Sequence, residues 1–247
     1  MADKQPIPVL VFETLDSTNE EAKRRAANGE LGPVWLVARS QTQGRGRRGR
    51  AWVSRSGNLY ATGLYTLDKP LGEAANLSFA AALAVADVCT RFVDERIVRV
   101  KWPNDVLVNG RKISGILLES GERPDQRVWL AVGVGINLAH HPKDQERPAT
   151  SLGEFSDEVT LEAAMTVLAE RFEYWRRKWD EAGFSALRDA WLSRAFGLGE
   201  PCLVRLNDEE ISGVFADLGP SGEMRLDLND GQRRYISAGD VFFPRAV

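Results

Sequence analysis

VRVKWPNDVLVNGRKISGILLES, residues Val98–Ser120, carries Asn109-Gly110 between two alternating apolar runs, the strongest short-range hairpin signal in the chain. With Asn109 and Gly110 as the two turn residues, facing positions sum to 219, which sets Leu107 opposite Lys112 and Asp105 opposite Ser114. Side chains two apart share a face, so Asp105, Leu107, Lys112 and Ser114 are expected to project together, with Asp105 diagonal to Lys112. A lysine and a carboxylate then meet on one side of a sheet. Taken alone, the segment equally describes an exposed hairpin whose lysine keeps an edge strand soluble.

Toward the N-terminus, Val9 to Thr14 reads as a strand. Ser17-Thr18-Asn19-Glu20-Glu21 then holds two overlapping capping boxes, which predict a helix ending near Asn28-Gly29. Trp35 to Arg39 and Asn58 to Thr66 read as strands that bracket QTQGRGRRGRAW, Gln41 to Trp52. In that loop Arg45, Arg47, Arg48 and Arg50 alternate with Gly44, Gly46 and Gly49. Glycine lets the backbone approach a ligand closely, and guanidinium forks bind phosphate or carboxylate oxygens two at a time, so the loop is suited to anions. Read by composition alone, an Arg-Gly run is more often a solvated or nucleic-acid-binding segment. Ala74 to Phe92, alanine-rich with apolar residues at helical spacing, predicts a buried helix.

Toward the C-terminus, Arg127 to Ile136 is apolar on both faces, as a central strand would be, and Gly133 and Gly135 leave space for something close by. A polar stretch follows from His140 to Pro148. Leu161, Ala164, Leu168, Phe172, Trp175 and Trp179 form the core stripe of a helix, and a second helix is expected from about Phe184 to Phe196. Gly197 to Pro201 reads as a linker, after which short alternating strands, separated by turns at Gly219 to Gly222 and Asn229 to Gly231, predict a small antiparallel barrel. The division expected is residues 1–197 and 198–247.

The chain has 247 residues, 43% hydrophobic and 27% charged, an ordinary soluble composition for one large domain and one small one. A net charge of −3 argues against a surface built as a whole to hold nucleic acid, so the basic loop is local. Cys89 and Cys202 are far apart with no CxxC, and MADKQPIP has no apolar leader, which together point to a reducing cytoplasm. Phe79–Val88 and Val128–Ala139, the most apolar stretches, are shorter than the roughly 18 residues of a membrane span, so no membrane role is expected. His140 and His141, the only histidines, are adjacent and suit a loop better than a metal site.

Ser17-Thr18-Asn19, Gln41 with GRGRRGRAW, KWPND (Lys101–Asp105) with GRKISGILLE (Gly110–Glu119), and GVGINLA (Gly133–Ala139) occur in an order and at spacings that closely resemble the biotin protein ligases. The resemblance covers nearly the whole chain. It implies an α+β fold, a mixed β-sheet catalytic domain flanked by helices (class II synthetase-like) with a C-terminal SH3-like β-barrel. With eight residues before the first strand, the chain is similar to the ligase-only form and not to members that begin with a helix-turn-helix repressor domain. No nucleic acid is therefore expected as a partner, and the resemblance leaves room for a homodimer.

The implied reaction has two steps. The carboxylate of biotin attacks the α-phosphate of ATP to give biotinyl-5′-AMP, and a lysine of a biotin carboxyl carrier protein, from acetyl-CoA carboxylase or a related carboxylase, then attacks that anhydride. By the resemblance, Lys112 and Arg47 carry the charge chemistry, and Asp105 either deprotonates the incoming lysine or holds Lys112. Ser17, Thr18, Asn19, Gln41, Arg45, Gly46, Arg47, Lys112 and Gly115 form the biotin site. Arg45, Trp52, Asn104 and Asn137 are expected on the nucleotide, with Trp52 as the adenine platform. Mg2+ is expected on the ATP phosphates, with no set of protein ligands specified by the sequence. Three glycines and four like charges predict that the empty loop is mobile and closes when the adenylate supplies counter-charge. Two other readings compete: a lipoate or octanoyl ligase of the same type of fold, and a nucleic-acid-binding module using the Arg-Gly loop.

Overall fold

The computed structural model describes residues 6–143 and 148–244, so part of the polar stretch expected after His140 and the first residues of MADKQPIP lie outside the described residues. Seven strands, β1 (Val9–Leu15), β2 (Val34–Gln41), β3 (Leu59–Leu67), β4 (Val98–Lys101), β5 (Asp105–Val108), β6 (Arg111–Glu122) and β7 (Val128–Ile136), form one sheet in the order β1-β2-β3-β7-β6-β5-β4. The β1–β2 pair is parallel and the others are antiparallel, so the sheet is mixed. β7 is the middle strand, which is why Leu130, Val132 and Val134 and, on the other face, Ala131 are all buried.

One face of the sheet packs on α2 (Leu71–Ala74), α3 (Leu77–Thr90), α4 (Leu161–Ala182) and α5 (Phe184–Leu192). The small side chains from Ala80 to Ala86 let α3 lie close to the strands, and each of these alanines is at most 2% exposed. Enlarging one to leucine would overpack the core at a cost of about 1–3 kcal/mol. By length and composition Leu71–Thr90 does reach the dimensions of a membrane span, which corrects the shorter reading made from Phe79–Val88. Burial of 67% of its apolar window within the protein identifies it as a core helix. Trp35 meets Phe172 edge-on at 5.7 Å, and Trp179 and Trp191 are buried, so the aromatic stripe is core as expected. The second predicted helix stops at Leu192. Beyond it the backbone turns to pair with β4, Val100 donating to Arg194 and Phe196 donating to Val100, which takes those groups out of helical bonding.

The opposite face carries α1 (Thr18–Ala27), seated by Ala22 and Ala26 against Leu36, Leu64 and Ala131. Ser17 is its N-cap, yet no side-chain cap bond forms there, contrary to the capping-box reading. The Thr18 hydroxyl turns instead toward the sheet. A five-stranded antiparallel sheet, β8 (Pro201–Arg205), β9 (Glu210–Leu218), β10 (Met224–Asp227), β11 (Arg233–Ile236) and β12 (Asp240–Phe242), closes the described chain in the order β11-β10-β9-β8-β12.

Candidate active site

Strand register builds the floor of a cleft on the α1 face. Tyr60, Gly135, Gly115 and Asp105 pair in one row across β3, β7, β6 and β5, and Thr62, Gly133 and Leu117 pair in the next. Two glycines of the floor are occupied from above by the protein's own side chains. A Cβ on Gly133 would stand 2.3 Å from Asn19 Oδ1, and one on Gly135 would stand 2.6 Å from the Trp52 indole. Any larger residue would push out Asn19 or Trp52. The cavity over this floor has a volume of about 320 Å3, within the range of small-ligand sites. It is lined by Ser17, Thr18, Asn19, Gln41, Arg45, Gly46, Arg47, Trp52, Asn104, Asp105, Lys112 and Gly115, every site residue expected from the sequence except Asn137.

A β-bulge alters the hairpin register that the turn implied. Leu107 pairs with Lys112 as expected, but between Val106 and Leu107 the ladder shifts, so Asp105 faces Gly115 and Ser114 pairs with Val106. Ser114 therefore leaves the functional face for the buried one, where it is fully inaccessible. The shift keeps Asp105 and Lys112 together, with Nζ 2.6 Å from Oδ1. Asp105 is 4% exposed, and the missing side chain at Gly115 leaves room for the ammonium, which also lies 5.5 Å from the Trp52 ring. The Lys112 backbone is held from the far side as well. Its N–H donates to Pro148 and its carbonyl accepts from Thr150. Asn137 is 3% exposed and donates from Nδ2 to the Thr150 carbonyl, so it braces the strap behind Lys112 and does not reach the cleft.

At the N-terminus of α1 the polar side chains form one network. Thr18 N–H and Oγ1 both approach Gln41 Oε1, at 2.8 and 3.1 Å, and Gln41 Nε2 donates to Ser54 Oγ at 2.9 Å. Asn19 Nδ2 donates to Leu117 O and Glu119 Oε2, which turns Asn19 Oδ1 toward Thr62. Thr62 Oγ1 lies 2.7 Å from that oxygen and 2.8 Å from Thr18 Oγ1. Two hydroxyl protons thus serve three oxygen–oxygen contacts between two amide oxygens, so one contact always lacks a proton. The cluster has acceptor capacity to spare and is completed by a ligand that brings an N–H donor. Ser54, Thr62 and Glu119 were not legible as site residues, because an isolated Ser, Thr or Glu in a strand or loop has no local signature. Only the register of β3 and β6 against α1 brings them in. Thr62→Val keeps the volume and removes the hydroxyl, and is expected to raise KM for the ligand bound here by about tenfold, the scale of one buried hydrogen bond, with kcat nearly unchanged and Thr62→Ser restoring it. An unchanged KM would reduce Thr62 to packing.

The Arg-Gly loop is folded. Gly46 donates to Arg50 O and Trp52 to Gly44 O, with an antiparallel bridge between Arg45 and Ala51. Three of its four arginines have carboxylate partners. Arg45 pairs with Glu20 and, at 3.4 Å, with Glu119, while Arg48 and Arg50 both pair with Asp240. The expectation of four uncompensated charges is corrected accordingly. Arg47 differs. It has no ion pair among the described residues, lies 3.4 Å from Asn104 Oδ1, and is held below the ordinary arginine range first by burial and then by the neighbouring Arg48 charge. Asn104 is itself fixed by its bond to Ile116 O at 2.7 Å. The site thus combines one under-solvated guanidinium, one ammonium and an acceptor-rich pocket, arranged for a ligand with an anionic end and a polar N–H end.

Among the described residues no group of three or more His, Cys, Asp or Glu side chains could hold a metal ion. The donor set does not make a protein-caged magnesium site. His140 and His141 engage Asn58 and Glu154 instead.

Residues 11–137 match the model of the biotin/lipoate A/B protein ligase family, and residues 197–243 match that of the biotin protein ligase C terminal domain. A biotin–(acetyl-CoA-carboxylase) ligase of Paracoccus denitrificans is 41% identical over 92% of this chain and 97% of its own length. A ligase of the same name from Mycobacterium tuberculosis is 32% identical over 91% of this chain and 85% of its own length. The solved structure of a biotin protein ligase from Aquifex aeolicus in complex with biotin and ATP superposes with a TM-score of 0.77 at 27% identity, covering 97% of this chain and 99% of that one.

Proposed function

The chain belongs to the biotin/lipoate A/B protein ligase family, and from its likeness to the biotin–(acetyl-CoA-carboxylase) ligases we propose how its cleft divides the work of an ATP-dependent biotin protein ligase. Biotin and ATP are the substrates. A carboxylate oxygen of biotin attacks the α-phosphorus, the bond to the pyrophosphate oxygen breaks, and biotinyl-5′-AMP remains. The ε-amine of a carrier lysine then attacks the carbonyl of the mixed anhydride, AMP leaves, and one proton is lost from the amine. The acceptor is the biotin carrier of an acetyl-CoA carboxylase or a related carboxylase.

Thr18 and Gln41 are the polar end of the site, receiving the ureido N–H groups where acceptors outnumber protons, and the buried Thr62 hydroxyl holds Thr18 and Asn19 from behind. Ser17 and Gly46 complete that wall, and Asn19, held by Glu119 over Gly133, is its floor. Lys112 and Arg47 face the other end, where charge builds on the α-phosphate, so phosphoryl transfer is helped by fixed cations in a partly dry cleft. Arg45, Asn104, beside Arg47, and Trp52, beside Lys112, take the adenylate. Asn137 acts through Thr150 on the Lys112 backbone. Asp105, almost fully buried and bonded to Lys112, is better placed to orient that ammonium than to meet a bulky carrier. Magnesium, the usual ion of ATP chemistry, would take most of its ligands from phosphate and water. The buried thiols of Cys89 and Cys202, pushed up to about 12 and about 11 by desolvation, are unpaired, which suits a reducing compartment.

The observation that carries biotin over lipoate is the acceptor-rich network, which a dithiolane ring with no N–H cannot satisfy. ATP–pyrophosphate exchange with biotin and with lipoate tests it. Exchange is expected with biotin at least about 10²-fold faster in kcat/KM, the discrimination of a site whose buried polar groups a wrong ligand leaves unpaired. Comparable exchange with lipoate would overturn the assignment.

A further inference from the structure

We propose that Asp240, on strand β12 of the C-terminal barrel, is a positioning residue that latches the Arg-Gly loop over the cleft and so governs how long the adenylate is retained. The proposal rests on the reading of the cleft as an adenylate site. Its carboxylate receives Arg48 Nη1 at 3.2 Å and Arg50 Nη2, and the Asp240 side chain is only 16% exposed, so solvent screens these pairs incompletely.

The loop depends on that carboxylate for its shape. Arg48 has φ 55°, in the left-handed region that residues with a Cβ avoid, and Gly49 follows at φ 69°. This backbone turn sends two like charges, Arg48 and Arg50, to a single point, an arrangement that repels itself once the carboxylate is removed. The barrel is the fixed partner in the contact. Trp102 Nε1 donates to Gly222 O in a buried bond, and Arg188 reaches Leu218 O at 2.9 Å. The Phe243 ring, next to β12, packs at 5.3 Å on Phe196. β12 therefore stays with the body of the enzyme while the loop is drawn to it. Arg47, Arg48, Arg50 and Asp240 all line the cleft, but with Arg48 and Arg50 engaged by Asp240, Arg47 is the one left without an ion pair among the described residues. The arginine run thus has two functions, the first two members facing the anion and the last two, Arg48 and Arg50, holding the loop.

The test uses the full chain and Asp240→Asn, which keeps the shape and removes the charge. Without ligand, trypsin is expected to cut the variant after Arg48 and Arg50 about tenfold faster than wild type, the scale of losing two partly screened ion pairs. Preformed radiolabelled biotinyl-AMP is expected to leave about tenfold faster, with the melting temperature kept and Asp240→Glu largely restoring retention. Arg48→Gln with Arg50→Gln leaves the barrel untouched and should release adenylate as fast as Asp240→Asn. Wild-type nicking and release in Asp240→Asn would overturn the latch. Failure of the wild-type protein to form any biotinyl-AMP would instead sink the functional reading, and the ligand-free nicking comparison would still decide whether the latch exists.

Discussion

Replacing Lys112 by alanine is expected to slow biotinyl-AMP formation by roughly 10²-fold or more, the loss typical when one preorganised transition-state donor is removed, and also to destabilise the fold. The second effect comes from Asp105. As a lysine at the edge of an exposed hairpin, Lys112 could be removed with no change in stability. Its ammonium is in fact 2.6 Å from a carboxylate whose side chain is 5% exposed, so the alanine variant strands a buried anion. Breaking a fully buried pair costs about 3–5 kcal/mol, and the partial exposure of Lys112 brings the expectation nearer about 2 kcal/mol, or a fall of roughly 5 °C in Tm for a chain of this size. The two losses separate in the double variant Lys112→Met with Asp105→Asn, which has no charge left to strand and should recover Tm without recovering the rate. Asp105→Asn alone distinguishes the roles of the carboxylate. If Asp105 orients Lys112, single-turnover adenylation slows and transfer to the carrier is little affected; selective loss of transfer would make it the base. Pyrophosphate exchange within about threefold of wild type in Lys112→Ala would remove Lys112 from the chemistry.

What could be read from the sequence was what local rules govern. Periodicity marked the central strand β7, the buried helix α3 and the aromatic stripe of α4, and Asn109-Gly110 located the hairpin that carries Lys112. The β-bulge was not readable. It inserts one residue into β6 without a signature in either strand, and so turn geometry alone puts Ser114 on the wrong face while still bringing Asp105 and Lys112 together. The capping box begun by Thr18 fails for a related reason, since its hydroxyl bonds Gln41 at the end of β2 and not its own helix. Long-range carboxylates were equally invisible. Nothing around Glu20, Glu119 or Asp240 marks them as partners for arginines in Gly44 to Arg50, and without them the loop looked like four charges with no counter-ion. The GVGINLA motif by itself suggests the nucleotide for Asn137, whereas the geometry gives that motif two glycines beneath Asn19 and Trp52 and one amide for the strap behind Lys112.

Arg47→Met is expected to have opposite effects on the protein alone and on the protein with its intermediate. In the free enzyme the Arg47 guanidinium is desolvated, repelled by Arg48, and has no ion-pair partner among the described residues. Its charge is therefore a liability to the fold, and an apolar side chain of similar length should leave Tm unchanged or raise it by about 1–3 °C. That same charge, which Asp240 and Asp105 offset only through space and without an ion pair, is binding energy held for an anion. When the adenylate occupies the cleft, its α-phosphate gives Arg47 a counter-charge in a site with little water, and a charge-assisted bond there contributes about 1.5–3 kcal/mol. The variant should then release biotinyl-AMP about 10- to 100-fold faster, and because the anhydride is reactive toward any amine, it should label bystander proteins that wild type leaves alone. Arg48 and Arg50, already paired with Asp240, have no such reserve and should change release only through the loop's position. Calorimetry of the free variant and filter-bound retention of radiolabelled adenylate check both halves. A variant that melts well below wild type while holding its adenylate as long would mean that Arg47 supports the loop and does not serve the intermediate.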